Sequence, residues 1–201
     1  MTLDRSTWPP GPWDSEPDSV SWVSVVGLPC EMRRNGRGAW CGYVGADPKH
    51  PAWSHVDWDL DAHRGVSWKG SSVEFAKMYE GEGPFPMGLQ WAGFHCIESG
   101  DRWPRPWKDS PFVASDSYRD VAYVRGQCEI LAAQMDAAEL LTEAGFGGAR
   151  HLRGAHWSAP EWAIEVARRF HAPREERATM LRRLASDPVA AQLAGALGVR
   201  A

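Results

Sequence analysis

The chain has 201 residues, 43% of them hydrophobic, and a formal net charge of −4 at pH 7. This length and apolar content suffice for one domain with its own core, so folding requires neither a disulfide framework nor a metal. The acidic balance disfavours nucleic acid as a partner, because nucleic-acid binders need a basic surface.

The N-terminal segment predicts an irregular arm over residues 1–18, because it is polar and contains four prolines. It has no apolar segment of the secretory type, and no run of 18 apolar residues occurs in the chain. Four cysteines without a secretory context predict reduced thiols. We therefore expect a cytoplasmic protein with no membrane partner.

Residues 19–26 (SVSWVSVV) then predict a first strand, because β-branched residues dominate them.

A β-hairpin is predicted across residues 28–45, where an Asn-Gly dipeptide separates two alternating runs. A two-residue turn at that dipeptide would place Cys30 opposite Cys41. A four-residue loop would instead place Cys41 opposite Met32. The dipeptide predicts the hairpin and leaves its register open between these two arrangements.

The middle of the chain predicts strand, helix and strand in succession. Residues 63–70 are typical of a short strand, and residues 71–81 of a short helix with Ser71 or Ser72 as its N-cap. Residues 87–98 are apolar on both faces, which predicts a central strand. We expect this strand to run antiparallel to the strand over 63–70.

Helical periodicity begins after residue 116. Apolar residues at alternating steps of three and four define one face of a long helix: Val121, Val124, Cys128, Leu131 and Met135. A second helix is predicted over 136–144, and further amphipathic helices over 150–201, including an Arg-rich one.

Together these elements predict an α+β fold, in which a mostly antiparallel sheet is covered by a long helix and followed by a small C-terminal helical segment. The corresponding organisation is an arm over 1–18, an α+β domain over 19–145 and a helical tail over 150–201.

The stretch WAGFHCIESGDRW, residues 91–103, combines several reactive side-chain types. Side chains alternate along a strand, so His95 and Cys96 point to opposite faces and cannot act as a nucleophile pair. Cys96 beside Phe94 is typical of a small buried hydrophobe. The polar residues that follow lie past the strand end, where sites commonly occur. Short metal-ligand spacings are missing, so no metal site is predicted.

The predicted site lies at this strand end. If the two middle strands are antiparallel, His63 at the start of one lies beside Glu98 and Asp101 at the end of the other. We expect a pocket with a tryptophan wall, and these ligand-binding residues: His50, Trp53, His63, Asp101 and Trp103. An enzyme at the same place would use His50, His63, Glu98 and Asp101 for acid–base chemistry.

Residues 28–135 resemble a group of uncharacterised proteins from actinobacterial phages and their hosts. That group tends to show C-G-Y-V-G-x-P-x-x-H-P, H-G-G-L-T-like and W-x-G-F-D-C-x-H-x-G-D-like elements. The matching positions are Cys41, Gly42, Tyr43, Val44, Gly45, Pro48, His50, Pro51, His63, Gly65, Trp91, Gly93, Phe94, Cys96, Gly100 and Asp101. His95 stands where that group usually has Asp, and Glu98 where it usually has His. The resemblance implies a phage-related context and carries no established activity, cofactor or fold.

Three functions follow as hypotheses. The first is a non-catalytic binder of a small polar or nucleotide-type ligand in phage–host conflict, needing no cofactor. The second is a small hydrolase that uses His63 or His50 with Asp101 or Glu98. The third is a protein-interaction module that acts through the Arg-rich helical tail.

Overall fold

A computed structural model describes residues 3–54, 60–79, 86–105 and 115–143, together with Thr179. The predicted helical tail over 150–201 lies outside the described residues except for Thr179, so it stays a prediction. The chain divides into two compact units. The first comprises Met1–Pro48 with Asp61–Ala132, and the second comprises Lys49–Leu60 with Ala133–Ala201.

The first unit contains a five-stranded antiparallel sheet, which confirms the predicted α+β class. Its strands are β1 (Ser19–Val23), β2 (Pro29–Arg34), β3 (Trp40–Ala46), β4 (Trp68–Ser71) and β5 (Gln90–His95). Their order in the sheet is β1-β2-β3-β5-β4, so the predicted central strand lies between two neighbours. Two short segments, β6 (Asp101–Arg102) and β7 (Ser117–Tyr118), pair in parallel as a separate small sheet.

The hairpin between β2 and β3 forms as predicted, but both predicted registers are wrong. Cys41 lies opposite Arg33, and Cys30 lies opposite Val44. The backbone N–H of Asn35 donates to the carbonyl of Ala39, which leaves a three-residue loop between them. Such loops need a left-handed residue at their third position, and Gly38 supplies it with φ +80°. The second glycine, rather than the Asn-Gly dipeptide, therefore decides the register.

The strand predicted over 63–70 is shorter, because a turn occupies its first half. Arg64 and Gly65 both have positive φ, 59° and 91°, and β4 begins only at Trp68. The first helix, α1 (Ser72–Met78), begins as predicted after a Ser71 N-cap. Glu74 completes a capping box with Ser71, satisfying backbone donors that the first helical turn leaves open.

The second helix, α2 (Val121–Glu143), is continuous, so the separate helix predicted over 136–144 does not exist. Within the first unit it contacts the sheet: a Cβ added to Gly42 would lie 2.6 Å from Cys128 Sγ. Glu129 accepts a 2.8 Å hydrogen bond from Trp22 Nε1. No helix among the described residues is long and apolar enough to cross a bilayer.

The N-terminal arm is fastened to the sheet. It contains a short 3-10 helix, Pro12–Ser15, in which Trp13 is buried. Glu16 accepts a 2.6 Å hydrogen bond from the fully buried Arg34 on β2. The buried ion pair therefore fixes the arm to β2.

An aromatic cluster fills the core beside α1. Phe75 stacks on Trp91 at 5.1 Å between ring centroids and meets the edge of Tyr43 at 4.7 Å. Gly93 lies opposite Tyr43 on the neighbouring strand, and a Cβ there would approach the Tyr43 ring to 2.2 Å. The absence of a side chain at Gly93 thus gives Tyr43 its place against the sheet.

Candidate functional site

The predicted proximity of His63 and Asp101 is present in the structure. His63 Nε2 lies 2.7 Å from Asp101 Oδ2, and both residues are buried. Antiparallel pairing of β4 with β5 produces this proximity, since His63 precedes one strand and Asp101 follows the other. Glu98 is close as well, because its backbone N–H donates to Asp101 Oδ2 at 3.0 Å.

Every polar atom of this His63–Asp101 pair is engaged by the protein itself. His63 Nδ1 lies 2.8 Å from the Tyr123 hydroxyl, and Arg119 Nε donates to Asp101 Oδ1 at 2.8 Å. Burial of the Asp101 carboxyl opposes its ionisation, but the hydrogen bonds from His63 and Arg119 outweigh burial and lower its pKa. The cluster joins two loops to the first turn of α2, so its hydrogen bonds hold these segments together.

The remaining predicted site residues fall in different places. His50 and Trp53 belong to the second unit, where His50 Nε2 lies 3.2 Å from Glu139 Oε2. Trp103 belongs to the first unit, is buried and donates its indole N–H to the carbonyl of Arg105. Two aromatic rings lie near His63, with centroids 5.6 Å away for Tyr123 and 6.4 Å away for Phe94.

A cavity of about 480 Å³ lies in the first unit, on the face of the sheet that carries Tyr43 and His95. Three aromatic side chains on this face line it, those of Tyr43, Trp68 and Tyr79. Phe94 also contributes to the wall, but its ring is on the opposite face of the sheet, against Gly42. The polar residues in its wall include Arg34, Asn35, Ser67 and His95. Trp68 and Tyr43 meet edge to face, with ring centroids 5.5 Å apart. An aromatic cavity with a few polar groups is typical of a small-molecule site.

A Ser67–His95–Glu98 chain of hydrogen bonds borders the cavity. Ser67 Oγ lies 2.9 Å from His95 Nδ1, and His95 Nε2 lies 2.7 Å from Glu98 Oε1. The backbone positions all three residues. Ser67 lies just before β4 and donates its backbone N–H to the carbonyl of Gly93 on β5. His95 is the last residue of β5, and Glu98 lies in the turn that follows. The Ser67 side chain is exposed, whereas His95 is half-buried at 33% side-chain exposure.

The orientation of His95 agrees with the prediction from strand alternation, since Cys96 is buried on the opposite face. All four cysteines are free and buried. Burial raises the pKa of the Cys41 thiol to about 11, although Cys41 lines the cavity. These thiols are therefore held protonated, which is unsuited to nucleophilic chemistry.

Sequence reasoning missed Ser67. It also placed Glu98 beside His63 as a partner, whereas the Glu98 side chain forms its hydrogen bond with His95. The missing information was the β4–β5 register, in which Trp68 lies opposite Gly93 and brings Ser67 beside the end of β5. Within the described ranges, no group of three or more His, Cys, Asp and Glu side chains could hold a metal.

Searches for related proteins returned no significant match to a protein-family model, a curated protein or a solved structure.

Proposed function

We propose that the protein binds a small molecule with a planar ring in the cavity between Tyr43, Trp68 and His95. The single observation that carries this proposal is the combination of about 480 Å³ of space with three aromatic side chains in its wall. This volume is within the range of about 300–1,000 Å³ of small-molecule sites. Planar rings, including nucleobases, gain stacking energy against aromatic side chains.

The charges around the cavity narrow the ligand class toward neutral, nucleoside-like compounds. Arg34 is the cationic residue in the cavity wall, but its fully buried guanidinium lies over Trp40, on the face of the sheet opposite to Tyr43. It donates there to Glu16, the Gly38 carbonyl and Tyr118, so it does not face a phosphate in the cavity. The hydrogen-bonding capacity on the cavity side lies with Ser67 and His95, which suit a hydroxyl, carbonyl or ring nitrogen.

The biological context that we propose is an accessory role in phage–host conflict, supported by the sequence resemblance given above. The hydrolase hypothesis based on His63 has less support, because both His63 nitrogens are bonded to protein groups in a buried position. The helical tail of the third hypothesis lies outside the described residues.

The test is a thermal-shift screen with the four common nucleosides and their 5′-monophosphates. A ligand that binds the native state raises the melting temperature in proportion to its occupancy. Two variants fill the cavity, Ile97→Trp and Met78→Trp, since both side chains line it. The matched control is Val25→Trp, which adds the same ring at a position 88% exposed.

We expect at least one nucleoside to stabilise the wild type and the Val25→Trp control, with a smaller effect of its monophosphate. That stabilisation should disappear in the two cavity-filling variants. Equal stabilisation of Ile97→Trp and Met78→Trp would place binding elsewhere. A screen with no stabilising compound would contradict the proposed ligand class.

A further inference from the structure

The hydrogen bonds of His95 assign it a single arrangement of protons. Glu98 accepts at Nε2, so the neutral imidazole carries its proton there and leaves the Nδ1 lone pair facing the Ser67 hydroxyl. The same arrangement activates a nucleophile in hydrolytic enzymes: a carboxylate orients an imidazole, and the imidazole accepts the proton of a hydroxyl. His63 has a comparable carboxylate partner, yet its second nitrogen meets the hydroxyl of the half-buried Tyr123.

We infer that Ser67, His95 and Glu98 form an acyl-transfer site that hydrolyses small, uncharged carboxylic esters whose planar ring occupies the cavity. This inference rests on the proposed ligand cavity and adds a reaction to it. Ser67 and His95 line the cavity directly, so they can contact the substrate. Glu98 acts through His95 and is therefore a positioning residue.

The reaction proceeds in two balanced steps. The Ser67 hydroxyl oxygen bonds to the ester carbonyl carbon, and its proton passes to His95 Nδ1. The bond from that carbon to the alkoxy oxygen then breaks, and the alcohol leaves with the proton from His95. In the second step water attacks the acyl-serine, again giving its proton to His95. The carbon–Oγ bond breaks, Ser67 recovers its proton, and the acid is released.

The experiment uses a fluorophosphonate probe, which forms a covalent bond with an activated serine and releases fluoride, together with p-nitrophenyl butyrate as a chromogenic ester. Peptide mapping locates the adduct. Ser67→Ala removes the nucleophile, and Ser99→Ala is the matched control at an exposed serine in the adjacent turn. His95→Gln removes the base and retains hydrogen-bonding capacity.

We expect the adduct on Ser67, its loss in Ser67→Ala and an unchanged rate in Ser99→Ala. His95→Gln should slow labelling by about 100-fold or more, since a positioned general base contributes on the order of 10²–10⁴-fold. Glu98→Gln should slow labelling less than His95→Gln does, and Glu98→Asp should retain more of the wild-type rate, because it keeps a carboxylate for His95. If Glu98 had a merely structural role, folded Glu98→Gln and Glu98→Asp would label equally fast.

Three results would overturn the inference: no adduct on Ser67, equal labelling of Ser67→Ala, or equal labelling of folded His95→Gln. Circular dichroism checks that each variant is folded. The nucleoside screen tests ligand binding separately, so failure of the esterase inference can be distinguished from failure of the proposed ligand-binding function. A protein that binds a nucleoside in the cavity without labelling Ser67 is a binder and not an esterase.

Discussion

The ion pair between Arg34 and Glu16 should be among the most costly contacts of the fold to remove. Arg34 has no exposed side-chain surface and lies 4.3 Å from the centroid of the Trp40 ring. Glu16 accepts from Arg34, from Trp40 Nε1 at 3.0 Å and from the Tyr118 hydroxyl. Neutralising one partner leaves the other charge in a poorly hydrated place. We therefore expect Arg34→Met to lower the free energy of unfolding by about 3–5 kcal/mol.

The assay is equilibrium urea unfolding followed by tryptophan fluorescence and circular dichroism, applied to Arg34→Met, Glu16→Gln and the double variant. Coupling between contacting charges makes the double variant less destabilised than the sum of the single variants, by about 0.5–3 kcal/mol. Arg102→Met, at an exposed arginine, is the control and should change stability by about 0.5 kcal/mol or less. Additive effects of the two single substitutions, or an Arg34→Met loss as small as that of the control, would refute the reasoning.

Three further outcomes follow from the first unit. Gly93→Ala should cost about 1–3 kcal/mol in urea unfolding, because its Cβ meets the Tyr43 ring, whereas Gly126→Ala in open helical space should stabilise by about 0.5–1 kcal/mol. Ellman's reagent at pH 8 should leave the native cysteines unmodified, since burial raises the pKa of Cys30 to about 12; a rapid native reaction would contradict this. The Asp101 carboxylate, whose folded pKa is lowered, should stabilise the fold above the unfolded pKa of about 3.9 and lose that effect as pH falls through its folded pKa. Asp101→Asn should therefore flatten the loss of stability in acid, and an unchanged acid slope would contradict it.

The strands and the first helix were predictable because their signals are local. Alternating runs beside the Asn-Gly dipeptide predicted β3, a run that is apolar on both faces predicted β5, and the serine pair predicted the start of α1. The hairpin register was not predictable from the Asn-Gly dipeptide, because two glycines stand in the loop and either could take a left-handed conformation. Gly38 takes it, with φ +80°, and this choice separates Cys30 from Cys41.

The candidate site was partly predictable for a topological reason. Antiparallel pairing of two neighbouring strands is enough to bring His63 to Asp101, and that pair is present. Arg119 and Tyr123 could not be assigned to it, because they approach from the segment before α2 and from its first turn, far along the chain. A contact between distant segments depends on packing, which leaves no periodic trace in the sequence.

The contrast between His63 and His95 explains why residue type and carboxylate proximity cannot by themselves identify a reactive histidine. Each has a carboxylate oxygen 2.7 Å from one ring nitrogen. His63 is buried, and its second nitrogen meets the hydroxyl of Tyr123, so neither ring nitrogen is left to bind a ligand. The second nitrogen of His95 meets Ser67, an exposed hydroxyl at an aromatic cavity. What differs is the hydroxyl that the second nitrogen meets. Ser67 is exposed just before β4 and lines the cavity, whereas Tyr123 is not among the residues that line it.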